Sequence, residues 1–221
     1  MTEQRPFHVE VVVHVPREAV WSALTDPAEV RRWFGWDYEG LDDEIRYIFV
    51  DHAKTAAPDR IELESGETIE LEANGLPTVV HVTRPGSLAE PDGDDVYDLI
   101  EEGWRAFLQQ LRYYLERHAG EDRRTVCLQG EASPAEVLAA LDEVVTGRLW
   151  HASSYQVAIV VDGQAGGLVV IEASSPLDSD IPGRVTVTVT SFGLGDAAFA
   201  ARRREWESWW TALADRPMVI P

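Results

Sequence analysis

Apolar residues along this chain keep two rhythms, a period of two and a period between three and four, and the rhythms occur in the same order twice. Phe7, Val9, Val11, Val13 and Val15 share one face of a predicted strand, with His8, Glu10 and His14 on the other. Pro16 ends that strand and suits the first turn of a helix striped by Ala19, Val20, Ala23 and Leu24. Asp26-Pro27 punctuates, and a second short helix is expected from Ala28 to Phe34, closed by Gly35. A strand-rich middle follows. Ile45, Tyr47 and Phe49 form one alternating set, Ile61 and Leu63 a second, Ile69 and Leu71 a third, and Val80 and Val82 a fourth. Ser65-Gly66 reads as a hairpin turn between the second and third. Such strands cover a core on one side and face water on the other. The strongest helix is expected from about Asp94 to Glu116, with apolar positions Tyr97, Ile100, Trp104, Phe107, Leu108, Leu111, Tyr114 and Leu115. Asp94 or Asp95 can cap its start and Gly120 can close its end. Gly103 inside it costs roughly 1 kcal/mol against alanine; it either admits close packing or has no packing role.

The polar, glycine-led stretch at 120–124 reads as a linker between a domain at 1–119 and a shorter one at 125–221. After it the order begins again. A strand (Thr125 to Gly130) leads through Ser133-Pro134 into a helix ending at Val145. Strands follow at Tyr155 to Val161, Gly167 to Ala173 and Arg184 to Phe192, and a final amphipathic helix, about Asp196 to Ala214, is expected to close the chain. Trp104-x-x-Phe107-Leu108-x-x-Leu111 in the first long helix is matched by Trp206-x-x-Trp209-Trp210-x-x-Leu213 in the last. Val20 and Leu24 are matched by Val137 and Leu141. Both matches in one order point to a tandem repeat whose second copy lacks the second short helix.

Composition narrows the partners. The 221 residues are 45% hydrophobic and 26% charged, as in ordinary globular proteins. A net charge of −20 repels phosphate backbones, so nucleic acid is not an expected partner, and the acidity reads as a solvated surface. Cys127 is the one cysteine, which excludes a disulfide within the chain and a cysteine-based zinc cluster; it reads as a buried strand residue. The N-terminal residues lack a signal-peptide core and no apolar run nears membrane-spanning length, so a cytoplasmic protein with no membrane partner is expected.

The run from Val15-Pro16-Arg17-Glu18-Ala19-Val20-Trp21 through Asp26-Pro27 to Val30-Arg31-Arg32-Trp33-Phe34 resembles the opening of the START/Bet-v-1-like superfamily. In particular it resembles the branch named after activators of a heat-shock-protein ATPase, which also holds polyketide cyclases and enediyne self-resistance proteins. Glu102 to Leu111 resembles that branch's closing helix. The second copy matches only in outline. The resemblance implies an α+β fold of tandem helix-grip units, each an antiparallel sheet curled around one long C-terminal helix, with a cavity between. It carries no invariant catalytic residue. It implies binding or sequestration of an apolar, polycyclic small molecule, in natural-product metabolism or self-resistance. A polyketide cyclase or aromatase and a co-chaperone docking on a heat-shock ATPase are its alternatives.

Eight tryptophans are many for this length. Trp21, Trp33, Phe34, Trp36, Tyr47, Tyr97, Trp104, Phe107, Leu108 and Leu111 are the expected lining of a first-unit cavity, since aromatic walls suit a flat ligand. The same rings could instead fill a core, the expected role of Trp206, Trp209 and Trp210 in the smaller second unit. His8, His14 and His81 sit on strand positions opposite the apolar face, and no histidine pair has the short helical spacing of a zinc site. Neither a metal nor another cofactor is expected. His52 with Asp51 is the best acid/base pair on offer, yet neighbours on a strand point to opposite faces. Glu39, Asp42, Asp43 and Glu44 lack the spacing of an EF-hand and read as a solvated loop. Gly163 to Gly167 reads as a hairpin turn, not a phosphate loop.

Overall fold

A computed structural model describes residues 5–73, 75–86, 98–162 and 167–220. Two compact units emerge, Met1–Gly35 with Gly40–Gly120, and Trp36–Glu39 with Glu121–Pro221.

In the first unit, β1 (Phe7–Val13) is followed by α1 (Arg17–Thr25), α2 (Pro27–Val30) and α3 (Leu41–Arg46), which runs into a π-helical turn at Tyr47–Asp51. Then come β2 (Ala53–Ala56), β3 (Arg60–Leu63), β4 (Thr68–Ala73), β5 (Thr78–Arg84) and α4 (Leu99–Arg117). The sheet runs β1-β5-β4-β3-β2, antiparallel throughout, with α4 lying against β1. Strict alternation builds β1: Phe7, Val9, Val11 and Val13 are buried and the residues between them exposed. Asp26 caps α2 by accepting the Ala28 N–H at 2.9 Å, and Pro27 occupies its first position. α2 stops at Val30, short of the expected Phe34, and Trp33 and Phe34 are both buried beyond its end. The chain turns in instead and leaves through Gly35 at φ 60°.

The expected strand at Ile45, Tyr47 and Phe49 is corrected by α3 and its π turn. Leu41, Ile45 and Phe49, four apart, are the buried stripe, and Tyr47 is exposed. Ile45 and Phe49 alone fit either period; Leu41 decides for the helix. Asp42, Asp43 and Glu44 form the first turn of α3, where the helix dipole favours acids, rather than a solvated loop. The long helix is capped by Asp98, whose Oδ1 accepts the Ile100 N–H at 2.8 Å and the Glu101 N–H at 3.1 Å. Asp94, Asp95 and Tyr97 lie outside the described residues. Gly120 takes the left-handed conformation past the helix end, at φ 83°.

The second unit holds β6 (Arg123–Ala132), α5 (Pro134–Val144), β7 (Gly147–Ala152), β8 (Gln156–Val161), β9 (Gly167–Ala173), β10 (Gly183–Phe192), α6 (Asp196–Leu213) and β11 (Asp215–Ile220). Its antiparallel sheet runs β11-β6-β10-β9-β8-β7. Without β11 this is the first unit's order again: opening strand, last strand, then back down to the second. α6 packs on β6 and β11, and Phe199, Trp206 and Trp210 join Leu128, Val137, Leu141 and Val187 in one core. Each unit therefore has an α+β helix-grip architecture, an antiparallel sheet with one long helix against it, and the second passes from α5 straight to a strand. Asp37 groups with this unit: its carboxylate accepts the Thr125 N–H at 2.8 Å. Arg123 and Arg124, expected in the linker, already belong to β6. Most of the Gly163 to Gly167 turn lies outside the described residues, and the strands around it pair antiparallel. No helix among the described residues is long and apolar enough to cross a membrane.

Candidate functional site

The first unit's expected lining residues are packed mostly on one another. Trp33 meets Phe34 and Phe49 edge-on with ring centroids 5.8 Å apart, and Phe34 meets Phe49 at 5.0 Å and Phe107 at 4.7 Å. Trp104 closes on Phe107 at 6.3 Å. Trp33 satisfies its own indole by donating Nε1–H to the Ala23 carbonyl at 2.7 Å. Leu108 and Leu111 are fully buried beside them, while Trp21 is half-buried on α1. Trp36 groups with the second unit. Tyr47 does not face the interior: it is 54% exposed.

What Tyr47 does instead was not legible in the chain. The π turn brings the His52 N–H to the Tyr47 carbonyl at 3.1 Å and stacks the two rings 4.1 Å apart. Tyr47 donates its hydroxyl to Glu64 Oε2 at 3.0 Å, and His52 Nδ1 lies 2.7 Å from the same oxygen. The hydrogen bond to Glu64, then its negative charge, raises the Tyr47 pKa, so the phenol holds its proton. A Tyr–Glu–His cluster thus sits on the surface, with His52 paired to Glu64 rather than to Asp51. Glu64 had no sequence signal, because it is one of several glutamates on the exposed side of this hairpin. Cys127 offers no nucleophile: burial pushes its thiol up to about 12.

The second unit carries a hollow of its own. A cleft of about 450 Å³ opens where the end of α5, the end of β8 and one face of α6 meet. Val144, Val145, Val161, Trp206 and Trp209 supply its apolar wall, with Asp162, Arg202 and Glu205 as its charged groups. The repeat pattern on α6 explains the indoles. Trp206 and Trp210 are buried, Trp210 donating Nε1–H to the Gln129 carbonyl at 2.9 Å, and Trp209 stands at the margin. Trp206 and Trp209 meet edge to face at 5.2 Å and 86°. The Trp209 indole nitrogen is buried with no hydrogen-bond partner among the described residues. Sequence reasoning singled out both tryptophans, as core; Val144, Val145 and Val161 come to them only through the fold.

No family model and no curated protein matches the chain. Among solved structures it is similar to DynU16, a protein of the dynemicin biosynthetic locus, at 18% identity over 94% of this chain and 95% of that one, with a TM-score of 0.33. The di-domain ARO/CYC BexL of the BE-7585A biosynthetic pathway matches at 14% identity, 95% and 94% coverage and a TM-score of 0.37. The Aha1 dimer from Colwellia psychrerythraea matches 53% of this chain with 100% of its own, at 15% identity and a TM-score of 0.37. Identities this low and superpositions this loose say nothing about what this chain binds.

Proposed function

We propose that the protein binds a flat, apolar, polycyclic small molecule without converting it, and that the cleft of the second unit is the seat. The observation that carries this is the Trp206–Trp209 pair forming one wall of a hollow of about 450 Å³. That volume lies within the roughly 300–1,000 Å³ of small-molecule sites. The two rings offer a face and an edge, and each aromatic contact adds about 0.5–1.5 kcal/mol beyond the area it buries. In the first unit, by contrast, Trp33, Phe34, Phe49 and Phe107 of the expected aromatic surroundings lie ring against ring. The resemblance of Val15 to Phe34 to the polyketide-handling branch supports a polyketide-like ring system as the ligand class.

Titration with an anthraquinone, followed by tryptophan emission and by mass spectrometry of the recovered compound, tests the proposal. Saturable quenching at one equivalent is expected, with the compound returned unaltered. Trp209→Ala should weaken binding about tenfold, the equivalent of roughly 1.4 kcal/mol. Binding that is unchanged in both Trp206→Ala and Trp209→Ala, with both variants folded, would remove the cleft from the account.

One observation favours an enzymatic reading, of the cyclase type: the Tyr47–Glu64–His52 cluster places a protonated phenol and an imidazole on one carboxylate. It predicts a chemically altered product that is lost in His52→Ala and Glu64→Gln.

A further inference from the structure

On the solvent side of the first unit's sheet, register assembles a group that no sequence spacing reveals. β1 pairs with β5 so that Glu10 stands opposite His81, and His8, two residues back on β1, points to the same face. His8 Nε2 lies 3.5 Å from Glu10 Oε2, and His81 Nδ1 lies 3.6 Å from the same oxygen. The three ligand atoms are all within 4.8 Å of one another, and the two imidazole rings are 5.4 Å apart. These spacings are too long for good hydrogen bonds, which fall at about 2.7–3.2 Å. They suit something else. A tetrahedral ion with bonds of about 2.0–2.1 Å holds its ligand atoms roughly 3.4 Å apart.

Two features of His81 point the same way. Its Nδ1 is buried and has no hydrogen-bond partner among the described residues. Its other ring nitrogen, Nε2, faces Glu72 Oε2 at 3.6 Å. An outer carboxylate in that place puts the proton on Nε2 and turns the Nδ1 lone pair to the metal, the usual arrangement around a ligating histidine. The ring has little freedom to turn away, since its side chain is only 20% exposed, whereas His8 and Glu10 are more than half exposed and can adjust around an ion.

We propose that His8, Glu10 and His81 bind one divalent transition-metal ion of the zinc class, with Glu72 positioning His81 and water completing the coordination. Two imidazoles and one carboxylate select such ions over calcium or magnesium, which take all-oxygen sets. β1 is an edge strand, so an ion shared by His8, Glu10 and His81 ties it to β5. The site belongs to the first unit and is independent of the cleft.

The full chain, without a histidine tag and stripped by a chelator, is titrated with Co²⁺ and then Zn²⁺. One Co²⁺ per chain with the visible absorption of four-coordinate cobalt is expected, displaced by Zn²⁺, and Zn²⁺ should raise the Tm. Glu72→Gln should weaken binding about tenfold, and His8→Ala and His81→Ala by at least as much. His8→Ala changes an exposed side chain and keeps the test readable should His81→Ala unsettle the sheet. His14→Ala, whose ring is held by Glu116 at 2.9 Å, should bind as the parent does. Absence of stoichiometric metal, or affinity unchanged in His8→Ala, overturns the site.

Discussion

Glu67 and Arg84 meet inside the first unit with side chains 2% and 4% exposed, Arg84 Nε donating to Glu67 Oε1 at 3.1 Å. The guanidinium also lies over the Phe7 ring, 4.7 Å from its centroid. Two charges taken out of water this completely depend on each other, because each removes the penalty the other would incur alone. Glu67→Ala therefore leaves a buried cation with no anion, and urea denaturation should show a loss of about 3–5 kcal/mol. Glu67→Ala combined with Arg84→Met should regain most of it, since neither charge then remains buried. A single-variant loss below about 1 kcal/mol would mean that water reaches Arg84 and that the pair is not sealed. No periodicity could have marked this pair: Glu67 follows a turn glycine and Arg84 ends a strand, both positions where charge normally faces solvent.

Legibility varied with the strength of each element's pattern. β1, β9, β10, α4, α5 and α6 were readable because long apolar stripes allow one period only. The α3 segment was not, because its isoleucine and phenylalanine lie four apart, a spacing that strand and helix share. β7 and β11 were missed because both are edge strands with broken patterns: Leu149 of β7 is 69% exposed beside a bulge, and β11 carries Pro217 after Arg216 at φ 49°. The sites fail for a related reason. Trp206 and Trp209 stood out by type, but the valines opposite them, the Glu64 partner of Tyr47 and the His8–Glu10–His81 group are products of register and hairpin geometry. Gly103 offers a test within one element. A Cβ built there meets nothing within 4 Å, so the glycine serves no close approach in α4. Gly103→Ala should raise stability by about 0.5–1 kcal/mol, read as a higher urea midpoint at unchanged m. A lower midpoint would mean that the helix needs a bare backbone at that point.

Across the whole molecule, one topology appears twice, with aromatic residues at matching positions on each long helix, yet the two interiors are finished differently. In the first, Phe34 and Phe49 come in from segments the second unit does not have and close the aromatic cluster. In the second, without those segments, Trp209 is left at the margin of a cleft. Charge acts on both units alike. The 39 acidic residues outnumber the 19 basic ones, so even if every arginine and lysine were paired, an excess of 20 negative charges would repel one another. Exposed ion pairs such as Arg31–Asp42 and Arg124–Asp196 contribute about 0–1 kcal/mol apiece and weaken in salt, which opposes the gain from screening. Repulsion should win, because it acts over many unpaired groups at distances a short Debye length cuts off. That length falls from about 30 Å at 0.01 M to about 8 Å at 0.15 M ionic strength. With a chelator present to keep metal from contributing, Tm should rise as sodium chloride is raised across that range and level off above it. A Tm that falls instead would show that the ion pairs, not the excess charge, dominate the surface electrostatics of the folded chain.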